Sequence, residues 1–219
     1  MRIHLKLTKN SEPVPFTYQE QMTDLIHNWT KEYAYPSKVS LHSFSNLRRG
    51  KKVADALSFE NGSSFFISSW NNDFLHEIIK SVQENSSFCF GMRVSEIIIQ
   101  ETPDLTNIDF FRLASPVLIC RTVANKKEYY YHNDDNAGTL LTETIRTKMK
   151  AAGLTPDESL SIAFDVSFHN GHKKRISYKG VSNPVSVRPV IIKGENETKQ
   201  FIWNVGLGNS TGIGFGAIS

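Results

Sequence analysis

Ser63-Ser64-Phe65-Phe66-Ile67-Ser68-Ser69 runs almost directly into Asn72-Asp73-Phe74-Leu75-His76-Glu77-Ile78-Ile79-Lys80-Ser81-Val82, and the change of period between them sets the fold of the first half of the chain. The first stretch is short, with an aromatic and β-branched centre and polar flanks, and reads as a strand. In the second, Phe74, Leu75, Ile78, Ile79 and Val82 fall on one helical stripe, with Asn72 or Asp73 as the cap. Working outward, Arg2 to Leu7 alternates, placing Ile3, Leu5 and Leu7 on one face of a strand. Pro13 and Pro15 lead into a helix from about Thr17, where Met22, Leu25, Ile26 and Trp29 stand at i, i+3, i+4 and i+7. Met92 to Gln100 is a further strand. The order strand, helix, strand or hairpin, helix, strand is that of a ferredoxin-like unit.

The second half begins again after a linker marked by Pro103, which gives two domains, residues 1–105 and 106–219. Phe111 to Cys120 enters a strand and Tyr129 to Tyr131 forms another. Gly138 to Ala152 is a helix, with Leu141, Ile145 and Met149 spaced by four and Gly153 as its stop. Short strands are expected at Leu160 to Phe168, Lys174 to Tyr178, Val187 to Ile192, Gln200 to Val205 and Ile213 to Ile218. The second unit is therefore α+β and richer in strand, and no sequence repeat relates it to the first.

The last fourteen residues, Gly206 to Ser219, hold five of the chain's 13 glycines. A dinucleotide fingerprint needs its glycines between a strand and a helix, and a P-loop needs a closing Gly-Lys-Ser/Thr; neither context is present. Two readings stay open: a loop whose amides approach a phosphate-bearing ligand, and a bare strand that packs closely against other backbone.

Composition sets outer limits. Hydrophobic residues make up 39% and charged residues 21%, as in an ordinary globular protein. The apolar runs are too short to span a membrane, and the alternating N-terminus is unlike a signal peptide. Cys89 and Cys120 lack metal-ligand spacing, so buried thiols in a reducing, cytoplasmic setting are expected, with no metal and no cofactor. The net charge of +3 is unevenly spread. Residues 1–110 carry eleven Lys and Arg against thirteen acids, and residues 111–219 carry fourteen against nine. Lys173, Lys174, Arg175, Lys179, Arg188 and Lys193 occupy a stretch without a single acid, and Arg48-Arg49-Gly50-Lys51-Lys52 is a second basic cluster. Both suit a phosphate-facing surface, and each alone also suits a solvated face.

Histidine supplies the candidate catalytic groups. No His-Glu-x-x-His, Cys-x-x-Cys or Gly-x-Ser-x-Gly is present, so zinc hydrolysis and esterase triads have no local support. His42 lies in a polar, small-residue stretch immediately before the Arg48 to Lys52 cluster, and an imidazole beside phosphate-binding cations is what RNA strand scission needs. His27 projects from the polar side of the first helix, fifteen residues earlier, close enough for a helix-to-loop turn to bring the two together. His169 and His172 flank Asn170-Gly171, a hairpin-turn signal, and with the basic run after them suit RNA binding. His4 and His76 read as structural, and His132 has no interpretable context.

The N-terminal strand, Val14-Pro15-Phe16-Thr17-Tyr18-Gln19, Leu25-Ile26-His27-Asn28, Phe44-Ser45-Asn46-Leu47, Ser115-Pro116-Val117 and above all Gly206-Leu207-Gly208 through Gly212-Ile213-Gly214-Phe215-Gly216 resemble the CRISPR-associated endoribonucleases that cut precursor CRISPR RNA within its repeats. The resemblance spans nearly the whole chain. It implies an α+β fold of two tandem ferredoxin-like (RRM-type) domains with a C-terminal glycine-rich loop. It also implies metal-independent cleavage by 2′-hydroxyl attack, leaving 2′,3′-cyclic phosphate and 5′-hydroxyl ends. In such enzymes the catalytic His commonly follows the first helix. His42 is the only His there, but it adjoins the Phe-Ser-x-Leu element, and Tyr35-Pro36-Ser37-Lys38 stands where some members carry theirs. His27 matches a helix position at which some members place a catalytic Tyr.

The resemblance therefore assigns catalysis to His42 and His27, with Lys51 as the accompanying cation. RNA binding falls to Lys38, Arg48, Arg49, Lys52, Lys173, Lys174, Arg175 and Lys179, and to the glycine-rich loop through Gly206, Gly208, Asn209, Ser210, Thr211, Gly212, Gly214 and Gly216. CRISPR repeat RNA is the implied partner, and association with other CRISPR effector-complex proteins or with a second copy stays open. Two other readings compete: a non-catalytic CRISPR RNA-binding subunit of the same fold, and a structural or regulatory protein whose tail merely closes a sheet.

Overall fold

The computed structural model describes residues 1–33 and 39–219. In the first half, β1 (Arg2–Leu7), α1 (Gln19–Trp29), β2 (His42–Phe44), β3 (Lys51–Val53), β4 (Ala56–Ser58), β5 (Ser63–Ser69), α2 (Asn72–Glu84) and β6 (Val94–Gln100) follow in order. The four longer-range strands pair antiparallel as β2-β5-β1-β6, the strand order of a ferredoxin-like sheet, with the β3–β4 hairpin inserted after its second strand. Alternation sends Ile3, Leu5, Leu7, Phe65 and Ile67 to one face, where they meet Met22, Ile26 and Trp29 of α1 and Phe74, Leu75 and Ile78 of α2 in one core. Helix α2 is capped one residue earlier than the sequence suggests, by the Asn71 side chain accepting from the Asp73 amide.

The second half contains β7 (Phe110–Phe111), β8 (Ile119–Val123), β9 (Lys126–Tyr130), α3 (Ala137–Ala151), β10 (Ser161–Phe164), β11 (His172–Tyr178), β12 (Val181–Val187), β13 (Val190–Lys193) and α4 (Asn196–Val205). Its sheet runs β10-β13-β7. Beside β7, Arg112 and Ser219 exchange backbone hydrogen bonds at 2.9 Å and the Ala114 amide donates to Ala217, so the last residues act as a rudimentary fourth edge. With α3 and α4 as the crossovers, this is the same βαββαβ order, enlarged by the β8–β9 and β11–β12 hairpins. The fold is tandem ferredoxin-like.

Several sequence expectations change here. Gln200 to Val205 is the end of a helix, not a strand: Phe201, Ile202, Trp203 and Val205 are buried on every side, so the segment shows no apolar stripe and its residues are good strand formers. Ile213 to Ile218 is not a strand either. A short 3₁₀ turn at Thr211–Ile213 and left-handed glycines occupy it, and pairing is confined to its end. Phe111 to Cys120 divides between β7 and β8, and Val187 to Ile192 straddles β12 and β13. The hairpin turn lies at Lys179-Gly180, not at Asn170-Gly171.

The two cores meet across the far face of the first sheet. Arg2 is 3% exposed, with its guanidinium 3.6 Å from the centroid of the Phe66 ring and 3.5 Å from that of Trp203. It donates to the carbonyls of Trp203 at 3.0 Å and Ile218 at 2.8 Å, tying β1 to α4 and to the chain's end. A cation held between two rings and two carbonyls has its desolvation offset by partners that fix its position. We expect Arg2→Ala to lower stability by about 3 kcal/mol in urea denaturation, because it leaves a cavity and removes the guanidinium donors from the Trp203 and Ile218 carbonyls. Lys6→Ala, on the same strand but in an exposed ion pair with Glu96, should change it by less than about 1 kcal/mol.

Candidate functional site

Strand β2 opens at His42 opposite Ser69 of β5, which turns the imidazole toward the helices. The ring stacks on Phe74 of α2 with centroids 4.3 Å apart and is only 5% exposed. From the second core, the terminal run closes over it: a Cβ at Gly212 would stand 2.5 Å from Ser40 Oγ and 3.0 Å from His42 Nε2, so any side chain there would displace Ser40 or press on the imidazole. Gly216 is constrained in the same way, because a Cβ would overlap the Leu207 carbonyl. Gly206, Gly208 and Gly214 are likewise buried, and within the run Ser210 is exposed and Asn209 half-buried. The Asn209 side chain accepts from the Cys120 amide and its own amide donates to Leu118.

His27 is exposed on α1, and its charge is felt at His42. Burial, then His27, then Lys148, push the His42 imidazole down to about 3, against a hydrogen bond to the Gly212 backbone that favours its charged form. The His42 imidazole is therefore neutral at physiological pH. Lys148, on α3, is 3% exposed, and burial alone pushes its ammonium down to about 7. A cleft of about 290 Å³ lies beside these groups, bounded by Val39, Ser40, Thr144, Lys148, Asn209 and Ser210 among others.

The remaining expected residues are spread more widely. Lys51 and Lys52 stand exposed on β3, with the Lys52 ammonium 5.8 Å from the Phe16 ring centroid, and the hairpin is anchored to the segment before α1 through the Val14–Leu57 bridge. Arg48 and Arg49 are exposed just before it, and Lys38 lies outside the described residues. Strand alternation places Lys173 and Arg175 on one face of β11 and Lys174 on the other, so the basic run is not one patch. Lys179, expected on RNA, is engaged with α1: its amide donates to Glu20 Oε1 at 2.6 Å and its ammonium to Asp24 Oδ1 at 3.0 Å. Glu20, Asp24 and His27 stand at i, i+4 and i+7, so the β11–β12 hairpin reaches the face of α1 that carries His27.

A family model described as "CRISPR associated protein Cas6, C-terminal" matches residues 100–219, more than half of the chain. The chain belongs to the Cas6 family. Its fold is shared with solved structures at low identity. The product of a Cas6-related gene from Pyrococcus furiosus superposes with a TM-score of 0.84 at 19% identity, covering 100% of this chain and 97% of that one. An RAMP protein binding different RNA substrates gives 0.84 at 22%, covering 100% and 98%. A CRISPR RNA processing endoribonuclease, Cas6b, gives 0.51 at 14%, again covering 100% and 98%. No curated protein matches the sequence.

Within this Cas6-family fold, sequence reasoning passed over Lys148, although its place was legible: it stands three residues after Ile145 and seven after Leu141, on the buried stripe of α3. Ser40 and Thr144, also at the cleft, carried no signal. Among the described residues no helix is long and apolar enough to cross a membrane.

The depressed His42 imidazole makes stability depend on acid. Below pH 6.5 the unfolded chain takes up a proton at this ring, whereas the folded protein takes it up only near pH 3, so stability falls as pH drops through that window. Comparing urea denaturation from pH 7 to pH 4, His42→Gln should flatten the decline by on the order of 3 kcal/mol.

Proposed function

We propose that this chain is a metal-independent endoribonuclease that cleaves precursor CRISPR RNA within its repeats, using two units, residues 1–105 and 106–219, to hold the strand. The observation that carries the reading is the His42 imidazole, stacked on Phe74 and covered by the Gly212 backbone next to Ser40, which bounds a hydroxyl-lined cleft; His27 on α1 acts on the same ring electrostatically. The family membership supplies the substrate class.

Scission requires the 2′-hydroxyl to lose a proton, the phosphorus to take that oxygen and release the 5′-oxygen, and the 5′-oxygen to gain a proton. His42, held neutral, is the acceptor of the first proton. His27, at the surface, donates to the leaving oxygen. Cations stabilise the charge that builds on the phosphate in between, a role for Lys51 and its neighbours on β3, while backbone around Asn209 and Ser210 orients the strand. The products are a 2′,3′-cyclic phosphate and a 5′-hydroxyl, with no water consumed in the step.

The burial of His42 favours a second reading, a non-catalytic RNA-binding subunit of the same fold. The two separate in one assay. Repeat RNA incubated with the protein in EDTA should be cut at one position and carry a cyclic phosphate end. Replacing the attacking 2′-hydroxyl by hydrogen should abolish cleavage without loss of binding. His27→Ala and His42→Ala should each slow cleavage by about 10²- to 10⁴-fold while affinity is kept. Undiminished cleavage in the double variant removes the mechanism, and binding without any cleavage by the unaltered protein establishes the second reading.

The basic strand makes its own prediction. Neutralising Lys173, Lys174 and Arg175 together should weaken repeat RNA binding and reduce the slope of log affinity against log salt by roughly one for each phosphate that is no longer neutralised. An unchanged slope would remove β11 from the interface.

A further inference from the structure

We propose that Lys148 is a positioning residue for RNA cleavage, holding the Gly206 to Ile213 turn against His42 from within the second core. The proposal rests on the endoribonuclease reading given above. The side chain leaves the buried stripe of α3 beside Ile145 and Met149 and ends in an ammonium with three donors. Three acceptors meet it: the carbonyls of Val205 at 3.2 Å and Gly206 at 3.1 Å, and Thr211 Oγ1 at 3.1 Å. The two carbonyls end α4, where helix backbone lacks partners and carries partial negative charge.

Thr211 is fully buried and opens the 3₁₀ turn that carries Gly212 and Ile213. Gly212 touches His42 and Ser40, and the Ile213 carbonyl accepts from Gln19 Nε2 of α1 at 2.5 Å. An unbroken series of contacts thus runs from the ammonium through the turn to the imidazole on β2 and to the helix that carries His27. An apolar side chain of similar length would fill the same space without the cost of burying a charge. What the ammonium adds is three directed bonds and a positive charge.

That charge also acts across space. The titratable groups felt at His42 are His27 from α1 and Lys148 from α3; α2 contributes the Phe74 ring and the terminal turn contributes backbone. Lys148 opposes protonation of His42, adding to the larger effects of burial and His27. It also forms part of the wall of the 290 Å³ cleft, between the space open to RNA and the turn that covers the imidazole.

The test compares Lys148→Met, Lys148→Arg and Thr211→Val with the unaltered protein. Three quantities are read: single-turnover cleavage of repeat RNA at saturation, affinity for the same RNA, and the titration of the His42 ring by NMR in RNA-free protein. We expect Lys148→Met to slow cleavage by about 100-fold with affinity nearly kept, and to raise the His42 midpoint by roughly one unit. Lys148→Arg should return the midpoint most of the way. Thr211→Val, which removes one acceptor and leaves the shape, should slow cleavage by a smaller factor.

A folded Lys148→Met protein with unchanged rate and unchanged His42 titration overturns the proposal, as does loss of rate and affinity in proportion. If Lys148→Met does not fold, Thr211→Val decides, and a rate equal to that of the unaltered protein overturns the proposal. If the unaltered protein does not cut RNA, the endoribonuclease reading fails separately. The RNA-free titration then still reads the Lys148–His42 coupling, and no shift overturns it.

Discussion

The closing segment of this chain fits between two hydrophobic cores only because its glycines have no side chains. Leu207 and Gly216 lie backbone to backbone, with the Leu207 amide donating to the Gly216 carbonyl at 2.8 Å and the Gly216 amide to Pro116 at the same distance. A methyl group at Gly216 or Gly212 would meet a carbonyl or the Ser40 and His42 side chains. The approach of this backbone sets how deeply His42 is buried, which sets its protonation, and it also shapes the cleft beside Ser40. One steric condition therefore governs both the joining of the units and the chemistry of the site.

Buried cations complete that joining. Arg2 bridges the first sheet to α4 and the chain's end, Lys148 bridges α3 to the terminal turn, and Lys199 bridges α4 to the loop before β7 through Thr106, Ile108 and Asp109. Each donates to backbone carbonyls that end an element or lie between elements. Such carbonyls lack partners within their own element, and a long cationic side chain can satisfy two at once. Part of the basic character of the chain is accordingly structural. Lys179 serves the same end at the surface, where its pairing with Glu20 and Asp24 sets the β11–β12 hairpin against α1.

The elements most legible in the sequence are those with a face in water. β1, α1 and α2 each alternate or stripe between core and solvent, and their bounds agree with the reading to within a few residues; β5, buried on both faces, is legible instead from its short aromatic and β-branched centre between polar flanks. α4 fails for the opposite reason: Phe201, Ile202, Trp203, Asn204 and Val205 are all buried, so no period distinguishes helix from strand. His27 and His42 were singled out by residue type and neighbourhood. That the terminal turn covers one of them depends on contacts between residues well over a hundred positions apart, and that Lys148 stands behind that turn depends on contacts 57 to 63 positions apart. The basic run at Lys173 to Arg175 looked like one patch because sequence order ignores the two faces of a strand.

The sequence by itself determined the strand and helix order of the first unit and a second, strand-rich α+β unit after it, because strand and helix periods are local properties that survive without knowledge of what they pack against. It also marked the terminal glycines as a place where something must approach closely. Only the tertiary structure decided what approaches: β2, Ser40 and His42 from one core, and the Leu207 backbone and Pro116 from the other. Burial and the electrostatic surroundings of an imidazole are sums over neighbours that the chain brings together at long range. The protonation of His42, and the place of Lys148 behind it, follow from packing alone.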